Sequence, residues 1–168
     1  MFKDMLSQRK MPTLGKILKG CDRLAEDAMS IEHPIFRDLE LPIVSCERGF
    51  GALIIRPGVT FPGNIRNPVP LIQIPYSRIV SKYDLFSVAH EAGHDWYIRL
   101  GLNYIIPNAF KTALINSGAP KEIIDLYVLW SFEIGPDFWG FCCAGIGQTL
   151  SIKEMLSLPP QRVFYVSS

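Results

Sequence analysis

Apolar residues recur every three or four positions between Pro12 and Ser30, and this spacing predicts the first helix of the chain. The residues on that face are Leu14, Ile17, Leu18, Cys21, Leu24, Ala25 and Ala28. Charged residues fill most of the positions between them, so the helix has one face for a core and one for solvent. A connector with Pro34 and Pro42 follows it.

The segment from Gly49 to Val80 is rich in residues that favour strands. Its two apolar runs, Ala52–Arg56 and Leu71–Ile74, are bounded by proline and glycine. Because proline cannot donate a hydrogen bond to a neighbouring strand, we expect at least one run at a sheet edge. The segment therefore predicts a small mixed or antiparallel sheet rather than a barrel.

The apolar spacing becomes helical again from Asp84 to about Gly101. The apolar positions of that helix are Leu85, Val88, Ala89, Ala92, Trp96 and Leu100. Another helix is predicted to begin after Pro120, which suits a first turn. Apolar residues surround this second helix, so we expect it to be central and buried. They are Ile123, Ile124, Leu126, Tyr127, Val128, Leu129, Trp130 and Phe132.

A last helix is predicted to start at Ser151, where Ser151 and Glu154 fit a capping box, and to stop at Pro159 and Pro160. No repeat or low-complexity tract interrupts this order of elements, so we predict a single α+β domain over residues 1–168. The chain ends in the strand-like run Tyr165–Ser168, and we also consider it as the N-terminal part of a longer protein.

Composition narrows the class of protein. The chain has 168 residues, of which 48% are hydrophobic and 20% are charged, and its formal net charge is +1. A chain this apolar can bury enough surface to fold, which argues against disorder. The balanced charge argues against nucleic acid or a membrane surface as partner.

The sequence predicts neither a membrane span nor a secretory signal. The longest stretch without Asp, Glu, Lys or Arg, Phe138–Ile152, is shorter than the roughly 18–20 residues that cross a bilayer. The N-terminus carries charges and lacks an apolar core segment. Four cysteines without a CxxC pair indicate buried free thiols, and hence the cytoplasm or delivery to another reducing compartment.

The first of the two later helices contains the motif HExxH as His90-Glu91-Ala92-Gly93-His94. Imidazoles four positions apart project from the same side of a helix, so both can reach one metal ion. Zinc accepts neutral histidine nitrogens at about 2.0–2.1 Å in a tetrahedral arrangement. Glu91 lies about 100° round the helix and can face a water on the metal without being a ligand.

A catalytic zinc ion normally keeps three protein ligands, and no histidine follows His94. The third ligand is therefore sought among the downstream carboxylates and thiols Glu122, Asp125, Glu133, Asp137, Cys142, Cys143 and Glu154. Glu133 is the best candidate, because it interrupts an apolar run in which an unpaired carboxylate would be costly to bury. Asp137 lies four positions further on and could hold a ligand histidine by its other ring nitrogen.

An HExxH helix followed by Glu133-Ile-Gly-Pro-Asp137 resembles the gluzincin group of zinc metallopeptidases, and the compact size is similar to small bacterial ImmA/IrrE-like domains. The resemblance implies a zincin-like fold, in which the sheet packs on the HExxH helix and a second ligand-bearing helix. It implies one zinc ion held by His90, His94 and Glu133, with Glu91 as general base and Asp137 behind a ligand. Gly135-Pro136 departs from the pattern, because proline is expected to kink or end the second helix, and an exchange of roles between Glu133 and Asp137 stays open.

The donor that would stabilise an oxyanion is less constrained. Tyr97 is a candidate because it follows His94 by three positions, and Tyr76, Tyr127 and His33 are alternatives. A substrate peptide could pair with either predicted strand. The aromatic residues near the motif are expected in the core; they are Trp96, Trp130, Phe138 and Trp139.

Two functions are therefore expected, with a third possibility. The first is a zinc-dependent endopeptidase acting on a protein or peptide. The alternative is an ImmA/IrrE-like regulatory domain that binds a partner, in which the metal serves structure or sensing and turnover is low. The third is a metal-free protein in which the two histidines are merely exposed.

Overall fold

A computed structural model describes residues 2–31, 40–49, 51–81 and 83–157. The helices are α1 (Phe2–Lys10), α2 (Pro12–Met29), α3 (Ser87–Arg99), α4 (Leu102–Asn116), α5 (Lys121–Ala144) and α6 (Ile146–Leu156). The strands are β1 (Ile43–Glu47), β2 (Leu53–Ile55), β3 (Thr60–Phe61), β4 (Ile65–Arg66) and β5 (Leu71–Pro75). Short 3-10 turns at Tyr76–Ile79 and Asp84–Phe86 lead from β5 into α3. The predicted α+β class is confirmed.

The main sheet has three strands in the order β1-β5-β2, and β3 and β4 form a separate antiparallel pair. Strand β5 is parallel to β1 and antiparallel to β2, so of the two predicted arrangements, mixed or antiparallel, the sheet has the mixed one. The run Leu71–Ile74 lies in the central strand, although Pro70 precedes it and Pro75 ends it. The run Ala52–Arg56 contains the edge strand β2 and satisfies the expectation for an edge.

The outer edge of β1 is closed by side chains from the first two helices. Gln8 exchanges two hydrogen bonds with the backbone of Cys46, at 2.7 and 2.9 Å. Asp22 accepts from the backbone N–H of Val44 at 2.8 Å, and Arg9 donates to the carbonyl of Val44 and to Asp22. These bonds replace those of a further strand, so this edge is protected from pairing with another chain.

Helix α3 lies at the centre of the packing. Its residue Val88 joins α2, β1 and β5 in one buried cluster that includes Leu18 and Ile72. Its residues Ala89, Ala92 and Trp96 join the end of α2 in a second cluster, against which Trp139 of α5 packs. Helix α3 is therefore fixed from both sides, and its side chains inherit that rigidity.

Gly101 separates α3 from α4. Its φ is +68°, a left-handed conformation in which a side chain would be strained, and its N–H donates to the carbonyl of Ile98. Helix α4 was not predicted, and it contains Pro107. Helix α5 begins directly after Pro120, as expected.

Two expectations for the helices are wrong. Helix α5 is not buried all round: among its described side chains Leu129 is 66% exposed and Trp130 is 47% exposed. Only Ser131, Pro136 and Gly140 of this helix are buried, because its neighbours cover one side of it. The last helix begins at Ile146 rather than at Ser151, so Ser151 lies within the helix and the capping box does not form. Pro159, Pro160 and the run Tyr165–Ser168 lie outside the described residues.

No helix in the described part of the chain combines the length and the apolar character that crossing a bilayer requires.

Candidate metal centre

His90 and His94 lie one turn apart on α3 and point to the same place. Their ring centroids are 4.8 Å apart with an angle of 84° between the ring planes, and the two Nε2 atoms are 3.1 Å apart. The side chains are largely buried, with 15% and 23% exposed. The predicted projection of both rings from one side of a helix is therefore confirmed.

Glu133 completes a triangle with the two rings. A single oxygen, Oε2, lies 3.3 Å from Nε2 of His90 and 3.5 Å from Nε2 of His94. A tetrahedral zinc ion at about 2.0–2.1 Å from each ligand requires ligand atoms about 3.3–3.4 Å apart. The three edges of 3.1, 3.3 and 3.5 Å match that requirement. Within the described residues, this is the group of His, Cys, Asp and Glu side chains that converges closely enough to hold an ion.

Asp137 approaches His90 from behind. Its Oδ1 lies 2.7 Å from Nδ1 of His90, which therefore donates to the carboxylate when the ring is neutral. This hydrogen bond leaves the lone pair on Nε2, the atom that faces His94 and Glu133. The two carboxylates of α5 thus occupy different sides of one imidazole.

The sequence predicts that Gly135-Pro136 kinks or ends the second helix. Helix α5 continues through both residues, so it does not end there. Pro136 is buried where α5 crosses α3: a Cβ on Gly93 would lie 2.9 Å from the Cα of Pro136. The contact extends to both sides of the proline, since Gly93 also faces Trp139 and Gly135 faces the ring of Tyr97. Glu133 and Asp137 therefore stay one turn apart on the same side of α5.

Gln148 of α6 supports Asp137, and the sequence analysis missed it. The residue is 2% exposed, and its Nε2 lies 3.4 Å from Oδ1 of Asp137. Gly140 leaves the space for it, since a Cβ there would come within 2.8 Å of the Gln148 side chain. No sequence signal joins Asp137 to Gln148, because the two lie on different helices with no shared period.

Glu91 is buried on α3 beside the histidines, with 5% of its surface exposed. Burial raises the pKa of its carboxyl above the ordinary value, although the charges of His90, His94 and Arg78 act in the opposite direction. Glu91, Glu133 and Asp137 gather three acidic groups around two imidazoles. The negative potential of such a group favours a divalent cation.

The hydrogen bonds of the cluster also shift the pKa values of its members. Burial lowers the pKa of His90, but hydrogen bonds with Asp137 and Glu133 outweigh burial and raise it to about 9. Hydrogen bonds from His90 and His94 hold the pKa of Glu133 well below its ordinary value. A metal ion would replace a proton in this cluster, since its histidine ligands must be neutral.

Arg78 is a second residue that the sequence analysis missed. It lies in the turn after β5, and its guanidinium is 3.5 Å from the sulfur of Met155. Burial lowers the pKa of Arg78, while the charges of Asp84 and Glu91 oppose the shift. Arg78 therefore brings a positive charge close to the acidic side of the site.

The hydroxyl of Tyr97 is engaged elsewhere. Tyr97 is buried, and its hydroxyl donates to the carbonyl of Ser131 at 2.8 Å. Its ring lies against Gly135, where a Cβ would come within 2.3 Å of it. Tyr97 therefore packs α3 against α5, and its role as an oxyanion donor stays a prediction.

The alternatives to Tyr97 are spread over the molecule. Tyr76 is exposed in the turn after β5, and the ring of Tyr127 packs against Phe110 and Trp130. His33 lies outside the described residues.

The other candidate ligands do not join the triangle. Asp125 pairs with Lys121, and Glu154 accepts a hydrogen bond from Ser81. The remaining ones are Glu122, Cys142 and Cys143. Cys142 and Cys143 are exposed, so their predicted burial is wrong, whereas Cys21 and Cys46 are buried as expected.

The aromatic residues expected in the core divide into two groups. Trp96 is buried and Trp139 is half-buried, and both indole N–H groups donate to the carbonyl of Ala28. Trp130 and Phe138 are exposed, by 47% and 68%, so the expectation is wrong for them.

Comparison of the chain with protein-family models, with curated proteins and with solved structures finds no match.

Proposed function

We propose that this protein is a zincin-like, zinc-dependent endopeptidase that hydrolyses a peptide bond in a protein or peptide. The observation that carries the proposal is the triangle of His90, His94 and Glu133, whose edges of 3.1–3.5 Å suit one tetrahedral ion. The fourth corner of a tetrahedron stays available, as catalytic zinc sites require. Glu133 is 61% exposed, so the triangle is open to solvent on its side.

The residues around the triangle fit the roles of a hydrolytic site. When bound, zinc supplies a Lewis acid that polarises the scissile carbonyl and makes water acidic enough to be deprotonated near neutral pH. Glu91 accepts the proton of the attacking water and passes it to the leaving amine. Asp137 holds His90 in the tautomer that offers Nε2 to the ion.

The edge strand β2 is the favoured place for the substrate backbone. Of the two predicted runs, Leu71–Ile74 lies in the central strand β5, which has no free edge, whereas Ala52–Arg56 contains β2, which has one partner in the described sheet. Arg56, directly after β2, lies 3.9 Å from Asp95, the residue that follows His94 on α3. A peptide added to β2 would therefore run beside the metal-binding helix.

The test is the Glu91→Gln variant, assayed with a mixture of internally quenched peptides after loading with zinc. The variant keeps the shape of the side chain but cannot accept a proton. We expect about one zinc ion per chain in both proteins and a loss of hydrolysis of about 100-fold or more.

Two further variants control this test. His90→Ala should lose both the zinc and the activity, because it removes one corner of the triangle. Glu122→Gln, an exposed position on α5, should leave both unchanged. Hydrolysis by Glu91→Gln at the wild-type rate would show that Glu91 is not the base.

A further inference from the structure

Six exposed apolar side chains form a straight line along α5, which we call the α5 stripe. Their spacing of three or four residues places all six within about 80° of arc around the helix. The stripe consists of Ile123, Tyr127, Trp130, Ile134, Phe138 and Phe141, which are between 36% and 68% exposed.

The stripe is unusual for a surface helix, because no charged residue of α5 lies within its arc. The three buried residues of α5, Ser131, Pro136 and Gly140, lie outside the arc of the stripe. Soluble proteins seldom leave a continuous apolar patch of several hundred Å² exposed unless something binds there. Spacings of three and four residues are those by which one helix packs on another.

The positions of the six stripe residues along α5 are nearly symmetric about position 132. In an antiparallel pair of α5 helices, Trp130 would face Ile134 of the second copy and Tyr127 would face Phe138. Ile123 would likewise face Phe141 at each end of the contact. A two-fold interface requires such self-complementarity, since the same patch must serve both subunits.

We propose that the α5 stripe binds a second copy of this chain, with the two α5 helices packed antiparallel about a two-fold axis. The inference does not depend on the proposed zinc chemistry.

The exposed area is sufficient for such a contact. With about 200 Å² for a fully exposed large side chain, the six residues leave roughly 550 Å² of accessible surface per copy. Two copies would bury at most roughly 1,100 Å² through these side chains, close to the approximately 1,000 Å² that separates specific interfaces from incidental contacts. The net charge of +1 adds little repulsion between copies. We therefore expect a reversible dimer with a dissociation constant roughly in the micromolar range.

The test is sedimentation velocity of the full chain between about 1 and 200 µM. The wild type should change from monomer to dimer over this range, and Trp130→Lys should remain monomeric because it buries a charge in the interface. Leu129→Lys is the matched control: Leu129 lies on the same helix and is 66% exposed, but it is about 140° away from the stripe. This control should dimerise as the wild type does, and circular dichroism should show each variant folded.

A charge swap tests the antiparallel register. Trp130→Lys and Ile134→Glu should each remain monomeric alone, but an equimolar mixture should form a heterodimer. In that heterodimer the introduced lysine of one chain faces the introduced glutamate of the other, while the second Trp–Ile contact is kept.

Three outcomes of these experiments are decisive. A wild type that stays monomeric at about 200 µM, far above the expected dissociation constant, would overturn the proposal. Failure of the mixture to associate, when the wild type dimerises, would overturn the antiparallel α5 contact. Binding of monomeric wild type to phosphatidylcholine–phosphatidylglycerol vesicles, lost in Trp130→Lys, would overturn it in favour of a membrane surface.

Discussion

Asp137 shows how the candidate metal site depends on a residue that is not one of its proposed ligands. It makes no edge of the triangle, yet it accepts from Nδ1 of His90 at 2.7 Å and is itself approached by Gln148. Such partners fix the orientation and tautomer of a ligand imidazole, and their loss typically costs about 10–100-fold in metal affinity. The bond between Asp137 and His90 therefore belongs to the function of the proposed site.

The first prediction concerns this bond. Asp137→Ala should weaken zinc binding by about 10–100-fold without abolishing it, because all three ligands of the triangle remain. Competition with a chromophoric chelator at fixed pH measures the change in dissociation constant. Asp125→Ala provides the comparison, since Asp125 lies on the same helix and pairs with Lys121 at the surface. An unchanged zinc affinity in Asp137→Ala would contradict the role assigned to this residue.

The contact between α3 and α5 determines whether the site exists at all. His90 and His94 lie on α3, whereas Glu133 and Asp137 lie on α5. The distance between the two helices therefore sets how far Glu133 lies from the two histidines. Gly93 lies within the HExxH motif and faces Pro136, and a Cβ there would lie 2.9 Å from the Cα and 3.0 Å from the carbonyl oxygen of Pro136. Backbone atoms cannot move aside as the end of a side chain can, so this position requires glycine.

Gly93→Ala is therefore expected to push α5 away from α3. We expect a loss of about 1–3 kcal/mol in the free energy of unfolding from overpacking, together with weaker zinc binding. Urea denaturation and the chelator competition measure the two effects. Gly20→Ala in α2 is the matched substitution, because nothing lies within 4 Å of its Cβ, and it should stabilise the protein by up to about 1 kcal/mol. Wild-type stability and zinc affinity in Gly93→Ala would refute this account of the contact.

The molecule as a whole protects two of its four cysteines. Cys21 and Cys46 lie in the cluster formed by α2, α3 and the sheet, and burial raises the pKa of each thiol to about 11. Cys142 and Cys143 are exposed near the end of α5. The Cys143 thiol is still partly buried, and this burial, together with the charge of Cys142, raises its pKa. Reactivity follows the thiolate and its accessibility, so the two pairs should differ strongly.

A thiol reagent at pH 8 should label two cysteines quickly, Cys142 before Cys143. The other two should react at least about a thousandfold more slowly, because the reagent reaches them only when the protein unfolds globally. Mass spectrometry after timed quenching identifies the sites, and a Cys142→Ser, Cys143→Ser variant should lose only the fast phase. Labelling of all four cysteines at one rate would rule out the described core.

The same burial gives stability a definite pH dependence. The folded pKa of Cys21 and Cys46 lies above the unfolded value of about 8.5, so unfolding releases protons between these limits. The free energy of unfolding should therefore be fully retained below about pH 8.5 and fall as the pH rises towards 11, which urea denaturation across this range measures. Each thiol contributes up to about 1.4 kcal/mol per pH unit in this window.

Across the whole molecule, local sequence patterns predict where a helix or strand forms better than they predict which elements pack around it. The helical spacing of α2 and α3 and the apolar runs of β2 and β5 are short-range features, and all four elements form where they are expected. Helices α1 and α4 and strands β1, β3 and β4 were missed. Helix α1 is polar on average, α4 contains Pro107, Pro42 directly precedes β1, and β3 and β4 have two residues each. The exposure of α5 could not be predicted from its composition, since burial depends on which elements pack around a helix.

The residues of the candidate site likewise divide into those that the sequence predicts and those that only the fold reveals. The positions of His90, Glu91 and His94 follow from the period of one helix. Glu133 was chosen because a carboxylate in an apolar run would be costly to bury, but its side chain is 61% exposed, so that reason is wrong. The packing of α5 on α3 brings Glu133 to the histidines. Gln148 and Arg78 reach the site from α6 and from the turn after β5, and only the folded chain brings them there.

The closed edge of β1 limits how this sheet can grow. Gln8, Arg9 and Asp22 already satisfy the outward backbone groups of Val44 and Cys46. In the three-stranded sheet, as far as the structure describes it, an added strand can therefore pair only with β2. Open sheets with two bare sides can propagate from molecule to molecule into fibrils. Here the backbone groups at the outer edge of β1 are already paired. Each molecule could therefore add one extended strand at β2, and the sheet would not grow further at β1. The polar residues of α1 and α2 thus prevent polymerisation through β1 and leave the edge of β2 open.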